Sequence, residues 1–123
     1  FSLYNSFMED KMIFAVDYDG TLVDHSWPGV GTIKLDTLNF CKERQQLGDK
    51  IILWTCRTGR YLKEALEYLE SFDFKPDYVN ENVPWDTSIY PDESRKVGAD
   101  YYIDDRSIHV QDLDKLRAKL LNK

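Results

Sequence analysis

With 123 residues, 42% of them hydrophobic, the chain suits one domain with a real core. Its formal net charge of −6 argues against a general nucleic-acid or membrane-surface binder, since both usually carry a basic patch. An anionic substrate stays open, because a metal and a few local cations can set the sign of a site.

No apolar run approaches membrane-spanning length. Glu9 and Asp10 stand where a signal peptide needs an apolar core. Cys41 and Cys56 are the only cysteines, too few for a disulfide framework, so a reducing cytoplasm is the expected setting. Residues 1–11 read as an N-terminal extension or remnant, and residues 12–123 as the folded domain.

Met12 to Val16 is a short apolar run, the pattern of a strand buried on both faces of a parallel sheet. It ends on Asp17, with a second carboxylate at Asp19, then Gly20 and Thr21. Residues 20–31 hold Gly20, Pro28, Gly29 and Gly31 around Trp27, a loop or small hairpin. A helical pattern opens at Thr32 and runs through Ile33, Leu35, Leu38 and Cys41 to Gly48, placed as a helix C-terminal glycine. Lys50 to Thr55 is a second buried strand. Tyr61 to Phe72 is helical, with Leu62, Ala65, Leu66 and Leu69 on one face. Pro76 to Val79 is a short third strand, and residues 80–91 form a loop. A helical turn around Glu93 to Val97 leads to a fourth strand, Tyr101 to Ile103, ending in Asp104-Asp105. His109 to Leu121 is a last helix, whose leucine stripe (Leu113, Leu116, Leu120 and Leu121) is expected in the core.

Strands alternating with helices predict an α/β fold: a central parallel sheet in a three-layer α/β/α arrangement. In such a sheet every strand ends at one edge, so Asp17, Thr55 and Asp104/Asp105 become neighbours, with Lys96 in the turn before the last strand. Carboxylates, a hydroxyl and an ammonium at one edge suit a hard divalent cation plus a phosphoryl group. Mg²⁺ is the expected ion. Thr55, Lys96 and Cys56 form the phosphate-binding set, with main-chain N–H groups helping. Cys56 reads as a small packed residue rather than a nucleophile. Arg57, Trp27 and Asn80 are candidates for substrate contact: Trp27 from the first loop, Asn80 from a stand-in lid running to Trp85. Arg57 and Arg60 also read as solvated loop arginines, with substrate contact the equal alternative for Arg57, and His25 and His109 read as surface residues.

DYDGTLV at 17–23 resembles the signature of the haloacid dehalogenase-like (HAD) superfamily, mostly magnesium-dependent phosphatases and phosphotransferases. Three further motifs of that family follow in order: Thr55 ending an apolar strand, Lys96 upstream of the last strand, and the Asp104-Asp105 pair. The resemblance covers about residues 12–110. It implies that Asp17 is the nucleophile and Asp19 the acid and base. Mg²⁺ would then be held by Asp17, the main-chain carbonyl of Asp19 and an acid of the last pair. Asp105 is the first choice for that ligand, with Asp104 behind it or as the alternative. HAD enzymes usually carry a cap domain, and the spans from Gly20 to Thr32 and from Gly59 to Lys96 are too short for one. A capless HAD protein implies an open site, suited to a phosphorylated small molecule or a macromolecular end (a nucleic acid only as substrate), or closed by another subunit of a homo-oligomer. Two readings compete with a phosphatase: a receiver-like phospho-acceptor module, which lacks support because no Asp ends the third strand, and a HAD scaffold that binds without turnover.

Overall fold

A computed structural model describes residues 11–84, 92 and 94–122. Of the expected N-terminal extension only Lys11 is among them. The elements run β1 (Ile13–Val16), α1 (Leu35–Gln46), β2 (Lys50–Leu53), α2 (Gly59–Glu70), β3 (Tyr78–Val79), β4 (Tyr101–Ile103), a 3₁₀ turn (Val110–Asp112) and α3 (Leu113–Leu121). All four strands pair in parallel, in the order β3-β2-β1-β4. The fold is α/β with a parallel sheet, as the alternating pattern predicts, and among the described residues there is no cap domain.

The register explains the apolar runs. Phe14 lies opposite Ile51, and Val16 opposite Leu53. Their side chains alternate with those of Ile13, Ala15 and Ile52. Phe14, Val16, Ile51 and Leu53 join Leu38 and Cys41 of α1 and Ala65 and Leu69 of α2 in the larger core. Ile13, Ala15 and Ile52 point to the other face, under Val83 and Val97. β1 and β2 therefore need apolar residues at nearly every position. Truncating one of these fully buried side chains, such as Leu53, would cost roughly 2–5 kcal/mol.

Local differences from the predicted elements have physical causes. α1 starts at Leu35 rather than Thr32 because Ile33 pairs with Val23 in an antiparallel bridge, which keeps the chain extended there. Gly48 ends that helix as expected, in the left-handed region with its N–H on the Gln45 carbonyl at 3.0 Å. Glu93 of the expected helical turn lies outside the described residues, and Ser94 to Val97 are not helical.

The leucine stripe of the last helix is a correction. Leu113, Leu120 and Leu121 are 51%, 54% and 79% exposed, and among the described residues α3 packs on no strand or other helix. α1 and α2 line one face of the sheet, and Val83 and Val97 lie against the other, so the stripe is amphipathic without being core. No described helix is long and apolar enough to cross a membrane.

The start of the sheet is tied down by acids. Met12 N–H donates to Asp49, Ile13 N–H to Asp100 and Ile51 N–H to Asp77, at 2.7–2.8 Å. Asp49 is buried and also accepts from Arg44 Nε at 2.6 Å.

Candidate functional site

At the other end of the sheet, parallel pairing carries one residue past β1. Asp17 N–H donates to the Ile103 carbonyl at 3.0 Å, which sets Asp17 beside the residues that follow β4. Asp17, Asp104 and Asp105 each offer an oxygen, and these oxygens lie within 4.8 Å of one another. Among the described residues no lysine or arginine forms an ion pair with any of the three. Burial, and then the Asp104 charge, push the Asp17 carboxyl up to about 6, against an opposing hydrogen bond from the Tyr18 main chain. Asp104 accepts from Arg106 N–H at 2.8 Å. Asp105 lies 2.9 Å from His25 Nε2, and that hydrogen bond holds its carboxyl below the usual carboxylate range.

The turn after Asp17 is compact. The Tyr18 carbonyl accepts the N–H groups of Thr21, Leu22 and Val23. Gly20 sits at φ +86°, and a Cβ there would collide with the Asp105 carboxylate and the His25 ring. Only glycine meets both demands. Thr21 Oγ1 lies 3.5 Å from Asp17 Oδ2.

Asp19, two residues on, lives in a different environment. Arg57 grips it with a fork: Nε to Oδ2 at 2.8 Å and Nη2 to Oδ1 at 2.6 Å. Nη2 also donates to the Gly29 carbonyl at 2.6 Å. The guanidinium lies 4.9 Å from the ring centres of both Tyr18 and Trp27. Arg57 is 1% exposed. This corrects its reading as a solvated loop arginine: the guanidinium is held inside, where it ties the first motif to the loop holding Trp27. Trp27 itself remains 56% exposed.

The Thr55 loop is held by Asn80. Its side chain accepts from Thr55 N–H and donates to the Thr55 carbonyl, both at 2.8 Å. Asn80 thus positions Thr55 with both halves of its amide, from a backbone at φ +52°. Thr55 Oγ1 accepts from Arg57 N–H at 3.1 Å. Cys56 is an exposed free thiol, and Cys41 a buried one. Lys96 Nζ lies 5.1 Å from the Tyr102 ring centre. Trp85, the far end of the expected lid, lies outside the described residues.

Sequence reasoning missed His25, which was expected on the surface and is half-exposed but bonded to Asp105. It also missed Lys34, whose Nζ reaches the Gly20 carbonyl at 3.4 Å from the start of α1. Nothing in the local pattern of either residue signals its place, because both contacts depend on how residues 20–34 fold back.

No family model matches the chain, and no curated protein does. A solved structure, that of the conserved protein coded by locus from Bacteroides thetaiotaomicron, is similar over 91% of this chain and 93% of its own, with 31% sequence identity and a TM-score of 0.70. On that identity and coverage, the chain belongs to the same family as this conserved Bacteroides protein.

Proposed function

We propose that the protein is a Mg²⁺-dependent phosphatase of HAD type, hydrolysing phosphate monoesters through an aspartyl-phosphate. The observation that carries this reading is the carboxylate trio, three hard oxygen donors within 4.8 Å of one another, with no lysine or arginine paired to them among the described residues. That donor set fits Mg²⁺, which takes oxygen ligands and keeps sites for water and substrate phosphate. Asp17, Asp105 or Asp104, and the main-chain carbonyl of Asp19 would hold the ion, which supplies neutralising charge where a carboxylate meets a phosphate.

Asp17 attacks phosphorus as the bond between phosphorus and the leaving alcohol breaks, and Asp19 gives the leaving oxygen its proton. Water then attacks the aspartyl-phosphate, Asp19 takes the water proton, and the bond between phosphorus and Asp17 breaks to release phosphate. Thr55, fixed by Asn80, and the Cys56 main chain hold phosphoryl oxygens. Lys96 and Lys34 are the cations proposed to neutralise them. With two free thiols, the proposed setting is a reducing cytoplasm.

The test is phosphate release from an aryl phosphate. Activity is expected with Mg²⁺, is lost in excess chelator and returns with the ion; activity persisting in excess chelator contradicts the proposal. One observation favours a second reading, a phospho-acceptor that does not turn over. Arg57 occupies both oxygens of Asp19, and the proton carrier must leave that grip to act. Single-turnover labelling without steady-state release would select this second reading.

A further inference from the structure

Trp27 is an exposed aromatic side chain against the Arg57 that grips Asp19, and it is firmly placed. Asp24 Oδ1 accepts from Ser26 Oγ at 3.0 Å and from Thr32 N–H at 2.8 Å, Gly29 N–H returns to the Ser26 carbonyl at 2.7 Å, and Tyr18 Oη donates to the Val30 carbonyl at 2.7 Å. Arg57 lies 4.9 Å from the centre of the Trp27 ring, and Tyr61 packs 4.8 Å away at an interplanar angle of 52°. With Arg57 and Tyr61 beside it, the ring still leaves 56% of the residue in water. A held ring open to solvent is costly in apolar exposure and needs little ordering to stack on a ligand. The Arg57 that touches this ring is the one that grips Asp19, so the shelf and the proposed proton carrier are one mechanical unit.

The neighbouring charge points the same way. Arg60 stacks on Tyr61, 4.9 Å from the ring centre, and among the described residues no carboxylate pairs with it. In a chain of net charge −6, an exposed cation without an acid partner beside an open indole suits a ligand that is both planar and anionic. We infer that Trp27, Tyr61 and Arg60 form a shelf for a nucleobase, so that the phosphate monoester met by Asp17 is a nucleotide. This rests on the phosphatase reading for its chemistry, but not for its binding.

Base stacking on an aromatic side chain is sequence-tolerant and worth about tenfold or more in affinity. The experiment uses the full chain carrying Asp17→Asn, which cannot turn over, and the probe 2-aminopurine riboside 5′-monophosphate, whose fluorescence falls on stacking. Ribose 5-phosphate is the ringless competitor. The probe is expected to bind at least about tenfold tighter than ribose 5-phosphate, with quenching. Adding Trp27→Leu is expected to remove the quenching and about tenfold of affinity for the probe, while ribose 5-phosphate binding stays unchanged; Trp27→Phe restores most of the loss. Equal binding of the two monophosphates, or an equal loss of both with Trp27→Leu, overturns the shelf. A 5′-phosphorylated trinucleotide carrying 2-aminopurine separates the sources: tighter binding than the mononucleotide marks a nucleic-acid end, equal or weaker binding marks a free nucleotide, and both keep the shelf. If the ring preference holds and the wild type releases no phosphate, the phosphatase reading fails alone.

Discussion

At the start of the sheet, Asp49, Asp77 and Asp100 each accept a main-chain N–H, and Asp49 also meets Arg44. At the far edge, Asp17, Asp104 and Asp105 face one another, and among the described residues no lysine or arginine forms an ion pair with them. The residue type is the same and so is the fold layer, yet each acid of the first set is taken up by a main-chain N–H of the sheet, whereas at the far edge Asp104 and Asp105 have only the Arg106 N–H and His25, and Asp17 sits against their charge. What separates a structural acid from a candidate ligand here is the partner. Aligned carboxylates without cations raise the energy of the folded chain, and an arriving cation can offset that. Asp19 stands between the two cases, near the far edge but gripped like a structural acid.

The largest effect should come from breaking that intermediate case. Arg57→Met leaves Asp19 without its fork and removes the strut under Trp27, and should destabilise the protein by about 3–5 kcal/mol in urea unfolding. A loss below about 1 kcal/mol would put Asp19 among the free acids. At the start edge, Asp49→Ala strips Arg44 and Met12 N–H of their acceptor and should cost about 2–3 kcal/mol by the same measurement. The far edge should respond with the opposite sign. Without metal at pH 8, Asp17→Asn should stabilise the chain by about 1 kcal/mol, a figure discounted for partial exposure. The sign follows from the raised carboxyl: its contribution to stability is fully present below the ordinary carboxylate range and is lost as pH rises through about 6. The gain from Asp17→Asn should therefore fade as pH falls from 6 and vanish by about pH 4. Unfolding midpoints across that range check it, and a gain that grows toward low pH contradicts it. Smallest of all, Asp105→Asn should change stability by less than about 1 kcal/mol, because its bond to His25 is solvent-exposed.

Much of this was legible in the residues, for a physical reason. Strands buried on both faces must be apolar throughout, so β1 and β2 stand out, while β4 is a half-exposed edge strand marked by Tyr101, Tyr102 and Ile103. Parallel pairing then carries Asp17, Asp104 and Asp105 to one edge from positions 87 and 88 residues apart. What stayed hidden depends on side-chain direction. Arg57 follows Thr55 in a loop, and no pattern says whether such a guanidinium turns outward or into a gap between Tyr18 and Trp27. The stripe of α3 failed differently: period shows that a helix has an apolar face, and the sheet decides whether there is room for it. His25 and Lys34 come near Asp105 and Gly20 only because residues 20–34 double back through the Val23–Ile33 bridge.

The claim that Asp17 is the reacting acid of the far edge is tested most directly by intact mass measurement after acid quench. Wild type, Asp17→Asn and Asp19→Asn would each be mixed with Mg²⁺ and an activated aryl phosphate, whose leaving group needs little protonation. Asp19→Asn is expected to accumulate one covalent phosphoryl group, since water still lacks its base. Wild type should show a small transient fraction and Asp17→Asn none. A phosphorylated Asp17→Asn chain, or no adduct on either variant while both turn over normally, would contradict the account.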